Sequence, residues 1–105
     1  MKCEVAEVVL RPICYSGRCH GHRVEIIFDT VAPDFGGMPW NVQYCGSGHY
    51  CETLYGALCY CAGRGFIQWS AIPKLRREIA ENAVAAMTEA EKVTGIEPPR
   101  VEELM

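Results

Sequence analysis

Apolar and polar residues alternate in short runs over the first half of this chain and recur at helical spacing over the second. Residues 3–10, CEVAEVVL, put Val5 and Val9 on one face and Ala6, Val8 and Leu10 on the other, which predicts a strand that Pro12 limits. Residues 15–22, YSGRCHGH, are rich in turn formers and read as a compact connection. Residues 23–29, RVEIIFD, alternate again, with Val24, Ile26 and Phe28 inward, Arg23, Glu25 and Asp29 outward, and Ile27 the exception. Two strands joined by a turn predict an antiparallel hairpin. A loop at 30–39, TVAPDFGGMP, leads to a third predicted strand at 40–45, WNVQYC.

The stretch 45–69, CGSGHYCETLYGALCYCAGRGFIQW, organises the rest of the chain. Cys51, Leu54, Tyr55, Leu58, Cys59 and Ala62 make one stripe at the 3.6-residue period of a helix. Ser47 precedes the stripe as a candidate N-cap, and Glu52 suits the positive end of the helix. Gly63 is placed to stop the helix in a left-handed conformation, with Gly65 loosening the exit. Phe66–Trp69 then reads as a short strand.

Ser70 and Pro73 open a second, longer helix. Its stripe is Ile72, Leu75, Ile79, Ala83, Ala86, Ala90 and Val93, widened by Val84 and Met87 and ended by Gly95. Glu78, Glu81, Glu89 and Glu91 lie off the stripe, toward solvent. Pro98-Pro99 forbid further helix there, so residues 96–105 form a tail that Val101 and Leu104 can dock or that stays mobile. The expected architecture is a single α+β domain over residues 1–105, a small antiparallel sheet in β-β-β-α-β-α order with two helices on one face.

At 105 residues, half of them apolar, the chain can bury a core without a covalent or metal staple. Formal net charge is −3, but unevenly spread: residues 1–77 carry eight Lys/Arg against six Asp/Glu, and residues 78–105 carry two against seven. That balance argues against a general nucleic-acid binder. Arg11, Arg18, Arg23 and Arg64 with Tyr15 and Tyr44 are the raw material of a single-strand-binding patch, but their spacing reads more simply as scattered solvated arginines. The N-terminus MKCEVAEVVLRP lacks the apolar run of a secretory signal, and no 18 consecutive apolar residues offer a membrane span. A cytoplasmic protein is expected, its seven cysteines present as thiols.

The three histidines and four of the seven cysteines gather in two clusters, Cys14-x4-Cys19-His20-Gly21-His22 and Cys45-x3-His49-x-Cys51; Cys59-x-Cys61 makes a pair, and Cys3 stands alone. Zinc takes four such ligands in a tetrahedron, two from each of two tight loops. Cys14, Cys19, Cys45 and His49 are the candidate set, with Cys51, His20 or His22 as substitutes; no other cofactor is expected. The plainer reading makes Cys51 and Cys59 core residues on the helix stripe and places Cys61 off it. Cys45 near His49, or Cys19 beside His20, has the residue types of a thiol–imidazole pair, and Asp29 or Asp34 could supply the orienting carboxylate. Both acids read more simply as solvated loop residues, sequence neighbours are no evidence of a dyad, and no CxxC is present. Gly63-Arg64-Gly65 follows a helix instead of preceding one, so it does not cradle phosphate.

With no catalytic set, the expected function is a small, non-enzymatic, intracellular binding protein that acts by contact with a macromolecular partner, most simply a protein. Trp40, beside Met38 and Phe35 in a glycine-rich loop, is a candidate anchor, and Glu78, Glu81 and Glu89 a candidate acidic contact face. The role would be that of an inhibitor or adaptor of the kind mobile elements use against host enzymes. A zinc-stabilised Cys/His module and a small thiol enzyme or redox sensor are the alternatives. The long second helix is compatible with a homodimer.

Overall fold

The structure is a computed structural model that describes residues 11–29 and 38–105. The predicted strand 3–10, Cys3 and Phe35 lie outside the described residues. The fold is α+β, a four-stranded antiparallel sheet with helices packed against it, in the strand order β1-β2-β3-β4. The strands are β1 (Ile13–Cys19), β2 (His22–Phe28), β3 (Trp40–Tyr44) and β4 (Ser47–Cys51). The helices are α1 (Leu54–Gly63), α2 (Ile72–Thr94) and the single turn α3 (Val101–Leu104), with a 3-10 turn at Trp69–Ala71 leading into α2.

Both hairpins close through two-residue turns. His20 and Gly21 have φ of 52° and 81°, and Cys45 and Gly46 have φ of 51° and 79°. Positive φ at both central positions matches the right-handed twist of the flanking strands, and glycine at the second position carries it without steric cost. The turn formers of residues 15–22 are therefore mostly strand. Tyr15, Gly17 and Cys19 face the helices with Ile26, Val24 and His22, their cross-strand partners. Gly17 leaves room for the Tyr15 ring, since a Cβ there would meet the phenol oxygen at 2.6 Å.

The second departure lies at residues 47–53. Ser47–Cys51 pairs with β3 as a strand instead of opening a helix, and α1 begins at Leu54. Thr53, not Ser47, is the N-cap, its Oγ1 accepting from the Gly56 N–H at 3.0 Å. This later start rotates the buried stripe to Leu54, Ala57, Leu58, Cys61 and Ala62. Cys61 is fully buried, whereas Tyr55 is half exposed. The stop is two residues later than expected: Gly63 is still helical and Gly65, with φ of 80°, takes the left-handed position. Gly65 N–H donates to Ala62 O at 3.1 Å and Phe66 N–H to Cys61 O at 2.8 Å. These paired bonds satisfy the last carbonyls of the helix and turn the chain sharply. Phe66–Trp69 consequently forms an exit from the helix and not a strand.

The core lies between one sheet face and the helices. Val24, Ile26, Phe28, Trp40 and Val42 meet Leu54, Leu58 and Cys61 of α1 and Ile72, Ile79, Ala80, Ala83 and Met87 of α2. α2 buries Ile72, Ile79, Ala83, Met87 and Ala90 of its predicted stripe and adds Ala80, whereas Val93 is exposed; it has Pro73 in its first turn and ends at Gly95 with φ of 71°. Asn82 pins it to β1 by donating to the Cys14 carbonyl at 3.0 Å, beside the irregularity in register between Ile13 and Tyr15. The segment after Pro98-Pro99 docks: Val101, Leu104 and Met105 pack on the core, and Arg76 donates from Nε and Nη2 to the Met105 carbonyl oxygen. Among the described residues, no helix is long and apolar enough to cross a membrane.

Candidate functional site

The pairing of Val24 with Tyr44 brings the start of β2 beside the end of β3. Both tight turns, Cys19–His22 and Tyr44–Ser47, therefore sit at the same end of the sheet. The C-terminal end of α1 arrives there too. The Cys19 thiol donates to the Gly65 carbonyl at 3.7 Å, and the Phe66 ring lies 4.4 Å from the Tyr44 ring. Three chain reversals thus meet at one corner.

A cavity of about 250 Å³ opens at that corner, lined by Val42, Tyr44, Ser47 and His49 of the sheet and Tyr60, Arg64 and Phe66 of α1 and its exit. Two ring pairs tie these walls together. His49 stacks on Tyr60 with centroids 3.9 Å apart and planes 6° from parallel, and Tyr44 leans on Phe66. His22 adds an edge-on contact to Tyr44 at 5.9 Å. The Arg64 guanidinium lies 5.9 Å from the Tyr60 centroid and 6.0 Å from that of Phe66, within reach of a cation–π attraction to both. Among the described residues, no carboxylate is within ion-pair distance of Arg64; the other ion pairs are Arg11–Asp29, Arg23–Glu25 and four pairs on α2 and α3.

The local charge is positive in a chain of net charge −3. Among the described residues, Arg64 and His49 line the cavity, while Arg18 and Arg23 stand at the same end of the sheet on its other face, Arg23 in a shallow cleft with His22 and Glu25. The Tyr44 hydroxyl donates to the Cys19 carbonyl at 3.3 Å. Its phenol is pushed above the ordinary value by partial desolvation and then by the Cys45 and Cys19 thiols, with Arg64 pulling it down.

The predicted metal set is not assembled. Cys14 and Cys19 stand at opposite ends of an extended strand, five residues or about 16 Å apart at strand rise. Cys14 is buried against Pro12, to whose carbonyl its thiol donates at 3.5 Å. Cys45 is exposed in its turn, and His49 is committed to Tyr60. Among the described residues, no group of three or more His, Cys, Asp or Glu side chains is placed to hold a metal ion. Burial pushes the Cys14 thiol up to about 11 and the Cys61 thiol to about 12, the latter helped by Cys51, and raises Cys51 itself. Thiols held neutral in this way are poor nucleophiles.

The predicted partner contacts fare differently from one another. Trp40 is 2% exposed, packed on Phe28 at 4.7 Å, because its side chain falls on the helix-covered face of β3. It is a core residue and not an exposed anchor. Glu78, Glu81 and Glu89 are exposed, but each is paired on its own helix, with Lys74, Arg77 and Lys92 respectively. They form a mixed-charge solvated face instead of an acidic one. The aromatic corner itself was legible only in fragments. In the sequence His49 reads as a ligand, Arg64 as part of a helix stop or, with Tyr44, of scattered basic and aromatic residues, while Tyr60 and Phe66 acquire their positions from the Thr53 start and the Gly65 stop.

Comparison of the chain with known families, with curated proteins and with solved structures returned no match. Any functional reading rests on this geometry.

Proposed function

We propose that this chain is a small, non-enzymatic binding protein that acts by contact with a macromolecular partner, and that the contact is made at the aromatic corner. The observation that carries this reading is the cavity in which four rings from sheet and helix surround a small volume, with an arginine at its edge that has no ion-pair partner among the described residues. At about 250 Å³ it is smaller than the roughly 300–1,000 Å³ of sites that enclose a whole drug-sized ligand. One anchoring group of a larger molecule suits it better. Aromatic and arginine side chains are also the residue types that dominate binding energy at protein interfaces. Anchoring through one group fits an inhibitor or adaptor role, and six free described cysteines suit a reducing, cytoplasmic setting.

The test is affinity capture from native lysate with four immobilised proteins: the parent chain, Arg64→Glu, Tyr60→Leu, and the triple reversal of Glu78, Glu81 and Glu89 to Lys. Loss of the same captured species by the two corner variants, with retention by the triple variant, is the expected pattern. Retention by both corner variants would overturn the assignment of the surface.

A further inference from the structure

We infer that the group seated in the corner cavity is an aromatic side chain flanked by carboxylates, so that the partner is a protein presenting an acidic, aromatic segment; this rests on the corner being the contact surface.

Four observations converge on that chemistry. The cavity volume suits one side chain. Its walls are the faces and edges of Tyr44, His49, Tyr60 and Phe66, and aromatic groups prefer such offset and edge-on surroundings. The Ser47 hydroxyl on the same wall supplies a polar contact for a phenol. The rim carries a cation: Arg64 lines it and, among the described residues, has no carboxylate partner of its own. Guanidinium groups in this condition pair with carboxylates in a two-pronged geometry.

A cationic ligand is disfavoured, because Arg64 already lies across the rings that would receive it and no acid lines the cavity. A nucleic-acid strand offers bases and anions together, but it carries a charge at every nucleotide and calls for a track of cations. Here the cations are confined to one corner, and Arg23 is already paired with Glu25. A short acidic segment matches one stacking site beside one cationic rim.

The experiment is titration of the isotopically labelled chain with blocked pentapeptides, followed by amide NMR and by fluorescence anisotropy. The probes are Glu-Glu-Tyr-Glu-Glu, the same peptide with Ala for Tyr, the same peptide with Lys for Glu, and a deoxythymidine oligonucleotide. Saturable shifts at Tyr44–Ser47 and Tyr60–Phe66 with the first probe are expected, with binding at least about tenfold weaker for the Ala and Lys versions. Arg64→Glu should weaken the first probe and strengthen the Lys version; the side chain is exposed, and an unchanged amide spectrum away from the corner checks its fold. Equal binding of the Ala or Lys peptides, tighter binding of the oligonucleotide, or shifts elsewhere would overturn the inference. Failure of every peptide while corner variants still abolish lysate capture would refute this partner class and leave the contact surface standing. Capture that survives the corner variants refutes the surface itself.

Discussion

His49 of β4 lies flat against Tyr60 of α1, and through that contact the edge of the sheet holds the last turn of the helix. An aromatic pair of this kind contributes about 0.5–1.5 kcal/mol beyond the area it buries. His49→Ala and Tyr60→Leu should each destabilise the fold, and their combination should cost less than the sum. A double-mutant cycle by urea unfolding measures the coupling. Additive losses would mean that the stacking carries no energy of its own.

The two glycines at the end of α1 should respond in opposite senses. Gly65→Ala forces a Cβ into a left-handed backbone with φ of 80° and should cost about 1–2 kcal/mol. Gly63 is helical with open space where a Cβ would stand, so Gly63→Ala should stabilise by about 0.4–1 kcal/mol. Thermal unfolding of both variants checks the sign. The first should also disturb the corner, because Gly65 aims Phe66 at Tyr44.

Trp40 and Trp69 should divide cleanly. Trp40→Ala removes a buried ring and should cost about 3–5 kcal/mol, while Trp69, 60% exposed, should tolerate alanine within about 0.5 kcal/mol. Fluorescence of the single-tryptophan variants gives the same answer independently: blue emission from Trp40, red and readily quenched emission from Trp69.

Alkaline pH should weaken the fold. Cys14 and Cys61 rise in the folded state from 9.0 to about 11 and about 12, so the folded chain keeps protons that the unfolded chain releases. Their contribution is complete below about pH 9 and is lost as pH climbs through 11 and 12. Urea midpoints should fall between pH 9 and 11, and less so in Cys61→Ala at matched starting stability. At neutral pH, alkylation should strike exposed Cys45 first and leave Cys14 and Cys61 untouched until the chain unfolds. Rapid labelling of Cys61 in the native protein would contradict its burial.

How much of this was readable in the chain depended on how strongly each segment's own residues constrained it. α2 was legible because large apolar residues such as Ile72 and Ile79 fix one stripe, and Gly95 ends it at the expected place. α1 was legible as a helix but not in its rotation. Ala57 and Cys61 are small and fit either face, so Thr53 and Gly65 decide the register. Ser47–Cys51 and the polar part of β1 carry glycines and few β-formers. They become strands by pairing with β3 and β2, a tertiary effect that local propensity does not contain. The same reason hid the candidate site, whose two walls come together only through the fold. The cysteine and histidine clusters read as turns, but only His20 and Cys45 occupy turn positions; Cys14, Cys19, His49 and Cys51 lie in strands, and β1 keeps Cys14 and Cys19 apart.

The cavity has one wall on the sheet and one on α1, so it exists only while the helix is docked. An occupant therefore has nothing to bind in the unfolded chain, and occupancy is thermodynamically linked to folding. At one hundred times its dissociation constant such a ligand adds about 2.7 kcal/mol of stability. The melting temperature of this small domain becomes a sensor for its own partner, one that reports binding before the partner has been identified.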